Sequence, residues 1–465
     1  MNNLLDQEIR KMSYDEDKIL AFKGTGIGSY RPVDTRKEGK KYIVIKRTLR
    51  KMSSDNYDIG AVESVVDRTF PGSLLKLNSR LIDNNPDILV ADRKPLRFRI
   101  DIPGMGKDAE FTVNNPTYID VSTAIDSVLK KYSGGSIPAL FTLKSSMAYN
   151  ESQLITHFGL EMKNVSKKLS IDFNAVSEKK STVYIASFRQ IFYKVSADIP
   201  QNPSDVFADS VTWESLQQKG VNNDNPVGFI NQVGYGRAIY VKIESTEQSN
   251  MVEAALKASI NNKLEITTNA QYKEILKNSN FTAAVIGGST KGHIDIISCK
   301  DINQVIDIIK NNAVYSKDNP GYPLYYNALF LKDNHNARTI STAEYIETQS
   351  EIHEGGTIRL EHTGGYVAQF RVKWDVVSYN ENGQKKIENQ GWYKNGKDLT
   401  APFAEEIPLD GSCENISVEA WGCTGLAWEW WRSTIDKRNV PLIPYRKFNI
   451  YGTTLNQKYS IEPGL

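Results

Sequence analysis

The sequence predicts an α+β, strand-rich chain that ends in a β-sandwich. Three observations lead there. From about Thr357 the chain reads as short alternating strands, "TIRLEH", "YVAQFRVKW", "NISVEAW" and "KFNIYG", separated by the turns "NENGQ", "KNGKD" and "LDGS". A series of this kind over roughly 110 residues fits two packed antiparallel sheets. Earlier, "STVYIASFRQIFYKVSAD" (Ser181 to Asp198) and "GFINQVGYGRAIYVKIEST" (Gly228 to Thr246) are long strand-like runs, and "FTAAVIGG" (Phe281 to Gly288) is a third. Apolar residues recur at helical spacing in "DVSTAIDSVLKKY" and "DINQVIDIIKNNA".

In chain order, 465 residues leave room for two to four domains of roughly 100 to 200 residues each. The start, "MNNLLDQEIRKMSYDEDK", carries acidic residues where a signal peptide needs a basic region and then an apolar stretch. Either a leader has been trimmed or export proceeds without one. "GTGIGS" (Gly24 to Ser29) lacks the lysine of a phosphate loop and the spacing of a dinucleotide fingerprint, so it reads as a plain loop.

Two segments beside the long strands are ambiguous. In "ESQLITHFGLEMKNVSKKLSIDFNAVSEKK", Leu154, Phe158, Met162, Val165 and Leu169 recur every three to four residues as one helical stripe. With period two, Leu154, Thr156, Phe158, Leu160 and Met162 face away from His157, Gly159, Glu161 and Lys163, and Leu169, Ile171, Phe173 and Ala175 continue after a polar turn. "NMVEAALKASINNKLEITTNAQYKE" behaves alike, with Val252, Ala254, Leu256, Ala258 and Ile260 before "NNK" and Leu264, Ile266, Thr268 and Ala270 after it. Each limb approaches the about 9 to 11 residues that a tilted strand needs to cross a bilayer. An ordinary surface helix explains either segment alone; the pair keeps both readings open. Four such strands cannot close a barrel with a lumen, and open edges in hydrocarbon leave backbone groups unpaired, so insertion by this route requires oligomerisation.

Composition excludes more than it selects. Lys and Arg number 57 against 55 Asp and Glu, and the net charge of +2 gives no argument for nucleic acid or anionic lipid. No run of about 18 apolar residues occurs, so no transmembrane helix is expected. Cys299, Cys413 and Cys423 cannot all pair within one chain and lack zinc-site spacing. At least one thiol is free; a Cys413–Cys423 bridge stays open beside the simpler reading of free thiols. His157, His293, His335, His353 and His362 show no metal-ligand or base–nucleophile arrangement, and no GxSxG occurs. No catalytic residue, metal or cofactor is expected, and no enzyme.

Of 7 tryptophans, six (Trp374, Trp392, Trp421, Trp428, Trp430, Trp431) follow residue 370, and three fall in "CTGLAWEWWR". Each indole buries about 150 to 250 Å² when packed, so three in a small sandwich core would be excessive. At a loop tip they form an exposed apolar patch with N–H handles, the composition favoured at a membrane interface.

That string resembles the tryptophan-rich undecapeptide of the cholesterol-dependent, or thiol-activated, cytolysins, pore-forming toxins of bacteria. "FPGSLL", "NNPDILVADRKPL", "IDIPGM", "GYGRAIYVK", "YVAQF", "DLTAPF" and "YGTTL" look like further family landmarks in family order, so the likeness covers essentially the whole chain. The resemblance implies an elongated four-domain molecule. Its first domain takes 1–16, 53–140, 191–237 and 314–337, and a connecting domain takes 17–52 and 338–354. A pore-forming domain takes 141–190 and 238–313, with a central twisted antiparallel sheet flanked by helical bundles; residues 355–465 form the membrane-binding sandwich. A secreted, water-soluble monomer would bind cholesterol in target membranes, assemble as a large homo-oligomeric ring, and convert 151–179 and 250–274 into barrel hairpins. A glycan receptor is a further partner the resemblance allows.

The resemblance also assigns residues. The membrane-anchoring loop comprises Cys423, Thr424, Gly425, Leu426, Ala427, Trp428, Glu429, Trp430, Trp431 and Arg432. Thr454 and Leu455 stand where the family's cholesterol-recognition pair does; without that context "YGTTL" is a hairpin turn. A hydroxyl beside an aliphatic side chain is a minimal match for a sterol, which offers one hydroxyl on a rigid apolar body. Ala401 and Gly365 map to neighbouring membrane-facing loops. Gly287 and Gly288 match a hinge, and Phe281 matches an aromatic that stacks on the adjacent subunit. The chain departs from the family at several places. Trp421 and Gly422 replace an arginine and a glutamate associated with relaying membrane contact to assembly, which puts that coupling in doubt. An indole at 421 suits a bilayer interface, and losing a carboxylate at 422 lowers the desolvation cost of docking. Pro402 stands where many members have histidine. Leu143 and Ser145 hold places usual for an aromatic and a glutamate, which puts subunit stacking and a salt bridge to Lys300 in doubt. A homologue that binds cholesterol or glycan with weak or no pore formation is the alternative.

Overall fold

The computed structural model describes the whole chain except residues 1, 62–64, 247–253, 256–269, 288–293 and 394–396. It divides into two compact units, one made of Met1–Ile27, Leu49–Glu247 and Met251–Ile346, the other chiefly of Gly28–Thr48 and Glu347–Leu465.

The first unit is built on six strands of one sheet. They are β1 (Leu140–Met147), β2 (Thr182–Ala197), β3 (Val227–Ser245), β4 (Ser279–Gly287), β5 (Ile294–Cys299) and β6 (Tyr322–Phe330). Of these the sequence predicts three, the runs that become β2, β3 and β4. All neighbours are antiparallel. β2 pairs with β3 from Thr182↔Ser245 to Ser196↔Gln232, and β1 adds to the outer side of β2 from Met147↔Tyr184 to Leu140↔Ile191. β3 changes partner halfway, pairing with β6 over Gly228 to Gly236 and with β4 over Arg237 to Ser245. A close approach of β2, where its register with β3 shifts, explains a glycine in "GYGRAIYVK": a Cβ at Gly236 would lie 2.0 Å from the Gln190 carbonyl oxygen.

Over β2, β3 and β4 both faces of this sheet are buried, which is why these strands read as long, largely apolar runs. Val183, Ile185, Ala238 and Tyr240 lie in one core with the first ambiguous segment. Tyr184, Phe188, Ile239, Val241 and Ile243 lie in another, with Val305 and Ile309 of a helix over Ile302–Lys310. The first segment is helical: α1 (Glu151–Phe158), α2 (Met162–Lys168) and α3 (Phe173–Ser177). The side chains of Asn150 and Asp172 cap α1 and α3 by accepting from free N–H groups of the first turn. Leu154, Phe158, Met162, Val165 and Leu169 are all at most 2% exposed, so the helical stripe holds in this state. Of the second segment, Ala254–Ala255 and Ala270–Lys277 are helical, with Ala255, Ile275 and Leu276 in the opposite core. The rest of that prediction falls outside the described residues.

The second unit holds the sandwich. One sheet has the order β10-β7-β13-β14, from Phe403–Leu409, Gly356–His362, Arg446–Gly452 and Gln457–Glu462. The other has the order β9-β8-β11-β12, from Lys385–Trp392, Ala368–Tyr379, Cys413–Leu426 and Glu429–Lys437. Only β7 and β13 run parallel within these sheets. Alternate residues point inward, so Ile358, Leu360, Phe370, Val372, Val418, Ala420, Phe448 and Ile450 make one apolar core.

Candidate functional site

The tryptophan-rich stretch is the end of a hairpin. β11 pairs with β8 only as far as Ala368↔Gly422, while its pairing with β12 continues through Cys423↔Trp431 to Leu426↔Glu429. The hairpin therefore overhangs the rest of its sheet by several residues. Its turn residues are Ala427 and Trp428. Gly425 sits at φ +72, where other residues are strained, and absorbs the bulge in the pairing. Thr424, buried at 3%, accepts from the Leu426 N–H at 3.1 Å and donates to the Glu429 carbonyl, closing the turn from inside. Trp428 is 83% exposed and Trp430 58%, whereas Trp431 is half-buried. Glu429 accepts from Arg432 at 2.6 Å and is held below the usual carboxylate range by that bond, so the tip presents its charges as a neutralised pair.

The other predicted loops gather at the same end of the sandwich. β7 and β13 end together, and β10 begins opposite His362, bringing the loops at 363–367, 399–402 and 453–456 side by side. The Gly365 N–H donates to the Gly452 carbonyl at 2.9 Å, and the Thr454 hydroxyl reaches the Gly365 carbonyl at 3.4 Å. Thr453 and Asn456 close a two-residue turn that carries Thr454 half-buried and Leu455 62% exposed. Arg432 donates to the Leu455 carbonyl at 2.9 Å, tying this turn to the hairpin. Ala401 is exposed in its own loop.

Sequence reasoning missed His362 here. It is fully buried, its Nε2 donates to the Tyr366 carbonyl at 2.6 Å, and its Nδ1 accepts from the Gly364 N–H at 3.3 Å, so one imidazole shapes the Gly365 loop. Only a turn-adjacent histidine in an alternating strand hinted at it. Trp421 differs from expectation. It lies on the sheet face, with the Arg371 guanidinium 4.9 Å from its ring and Arg371 paired to Glu419, beside a cavity of about 360 Å³. It therefore stands apart from the two exposed indoles.

All three cysteines are free, so the Cys413–Cys423 bridge does not form. Burial, and then the charge of Asp410, push the Cys413 thiol up to about 11. In the first unit Gly287 ends β4 at φ +82, where a Cβ would meet the Gly236 carbonyl at 2.6 Å; Gly288 lies outside the described residues. Phe281 is 3% exposed beneath the β4–β5 pairing, opposite Cys299. β1 is an edge strand, and Leu143 and Ser145 lie on it two residues apart. Phe141, on the same face as both, is 45% exposed, an aromatic the motif comparison passed over. The fold also brings His335 within 3.4 Å of Glu16 and 3.5 Å of Asp333, at the surface.

Comparison with known proteins covers both units. Residues 4–353 match the family described as thiol-activated cytolysin, and residues 357–458 match the thiol-activated cytolysin beta sandwich domain. Tetanolysin of Clostridium tetani is 45% identical over 463 residues, 98% of this chain and 88% of the relative. Perfringolysin O of Clostridium perfringens is 42% identical over 465 residues, covering 99% and 93%. The crystal structure of listeriolysin O superposes with a TM-score of 0.91 at 38% identity, over 99% of this chain and 95% of that one.

Proposed function

Because this chain belongs to the thiol-activated cytolysin family, it is a pore-forming cytolysin and not an enzyme, and we propose that its sandwich tip docks on cholesterol-containing membranes. The carrying observation is the convergence of Trp428, Trp430 and Leu455 at one end of the sandwich, with the Thr454 hydroxyl next to Leu455. Two exposed indoles suit the interfacial region of a bilayer, and a hydroxyl beside an aliphatic tip suits a sterol. Ala401 and Gly365 would flank that contact. After docking, copies of the chain would assemble on the membrane, and segments 151–179 and 250–274 of residues 141–190 and 238–313 would insert as β-hairpins. Gly287, with Gly288, would let β5 swing away from β4, uncovering Phe281 for the β1 edge of a second copy.

Dye release from phosphatidylcholine vesicles with and without cholesterol tests this reading. Release is expected only with cholesterol; equal leakage from both would remove the sterol. Thr454→Gly with Leu455→Gly is expected to abolish vesicle pelleting while the thermal midpoint stays put.

Two further readings have their own observations. A carbohydrate partner is favoured by the cavity beside Trp421, which offers an aromatic face, Arg371, Gln369 and Lys373. Trp421→Ala would then lower binding to a panel of soluble oligosaccharides and leave cholesterol binding intact. Weak pore formation is favoured by Leu143, Ser145 and Gly422; vesicle flotation without dye release would select it.

A further inference from the structure

We propose that Gln457 is a positioning residue that joins the Thr454–Leu455 turn to the tryptophan-rich hairpin, so that the two loops meet a membrane as one element. Gln457 opens β14 immediately after the turn, and its side chain crosses from one sheet of the sandwich to the other. Its Nε2 donates to the Thr454 carbonyl at 3.1 Å, within its own turn, and to the Cys423 carbonyl at 3.3 Å on β11. Its Oε1 accepts from the Thr434 hydroxyl at 3.0 Å on β12. One amide thus holds both limbs of the hairpin and the turn, using both donors and its oxygen.

The amide fits because of what faces it. Gly422 is buried directly opposite, and a Cβ there would stand 2.5 Å from the Gln457 side-chain amide. A side chain at 422 and this amide cannot share the space, so the two positions form a matched pair. The tie acts where the hairpin has run past the end of β8, beside the Cys423 N–H bond to the Val367 carbonyl at 2.7 Å and the Arg432 bond to the Leu455 carbonyl. A hairpin and a turn held at fixed spacing lose less freedom on docking than two independent loops.

The inference rests on the reading that these loops dock, and a side-chain exchange separates the two. Gln457→Ala, Gly422→Gln and the double variant are compared with the parent on phosphatidylcholine vesicles with and without cholesterol. Vesicle affinity, the blue shift of tryptophan emission and the thermal midpoint are recorded. Each single variant is expected to lose affinity about tenfold, the loss of one or two net hydrogen bonds, with a smaller blue shift; the midpoint stays unchanged in Gln457→Ala and falls in Gly422→Gln, where the new side chain overpacks a buried position. The double variant, which supplies the amide from the opposite strand, is expected to recover most of the affinity and of the blue shift. Parental binding by Gln457→Ala overturns the inference. So does a loss in Gln457→Ala that tracks a lowered midpoint, or a double variant as weak as the sum of the singles. If the parent binds both vesicle types equally, the sterol reading fails while the exchange still reports the tie.

Discussion

At the scale of single residues, exposure decides which indoles can act outside the protein. Trp428 and Trp430 stand out from the hairpin, Trp431 is half-buried, and Trp421 lies against Arg371. Trp428→Ala is therefore expected to change stability by no more than about 0.5 kcal/mol. It should reduce vesicle binding measured by flotation, whereas Trp421→Ala should leave that binding near the parental level. Cys413 offers a check on its surroundings. With its thiol pushed to about 11, timed alkylation at this residue should still accelerate between about pH 9 and 11, read by mass spectrometry. A plateau below that range would show the thiol to be less enclosed than described. The tryptophan string was legible because three indoles in ten residues have few soluble uses. His362 and Gln457 were not, because their partners come from other strands and no local pattern marks them.

At the scale of elements, the first ambiguous segment is held down by polar ties as well as by its apolar stripe. Gln153 donates from α1 to the Ser146 hydroxyl and the Met147 carbonyl of β1, at 2.9 and 3.0 Å. Between α1 and α2, the buried Glu161 carboxylate pairs with Arg189 of β2 and accepts from the Tyr240 hydroxyl of β3 at 3.0 Å. Burial alone would depress the Arg189 guanidinium, but Glu161 and Tyr240 beside it hold it above its ordinary value. Breaking a buried pair from one side leaves an uncompensated charge. Arg189→Ala should therefore cost about 3 to 5 kcal/mol in a urea titration, and adding Glu161→Leu should recover most of that. Equal losses in the single and double variants would mean that the pair matters little. The periodicity of 151–179 made a helix legible and left the strand reading available. Whether it rests as helices depends on the sheet beneath it, which only the fold supplies.

At the scale of the whole molecule, the loops proposed to dock and the helical segment belong to different compact units, each with its own core. Membrane binding and pore formation should then separate by mutation. Thr454→Gly with Leu455→Gly should remove both, whereas Gly287→Val should leave flotation intact and abolish dye release. A bulky residue at φ +82, against the Gly236 carbonyl, distorts the end of β4 at the proposed hinge. If Gly287→Val still floats and still leaks dye, the hinge lies elsewhere. Electron microscopy of parental protein on cholesterol vesicles should show rings, and four strands per copy require many copies.

What the sequence by itself determined was three of the long strands, the alternating strands of the sandwich, the helical stripe and the tryptophan-rich string, since alternation, period and rare composition are local signals. Local signals also carried the family resemblance, from "CTGLAWEWWR" to "YGTTL". The tertiary structure decided which of these pieces stand together. It brought Gly365, Thr454 and the hairpin to one end, withdrew Trp421 from the tip and set Gln457 over Gly422. It also buried Glu161 against Arg189 of β2 and Tyr240 of β3. Each of these depends on pairing register and on side-chain contacts between residues far apart in the chain, and those are settled only when the sheets close on their cores.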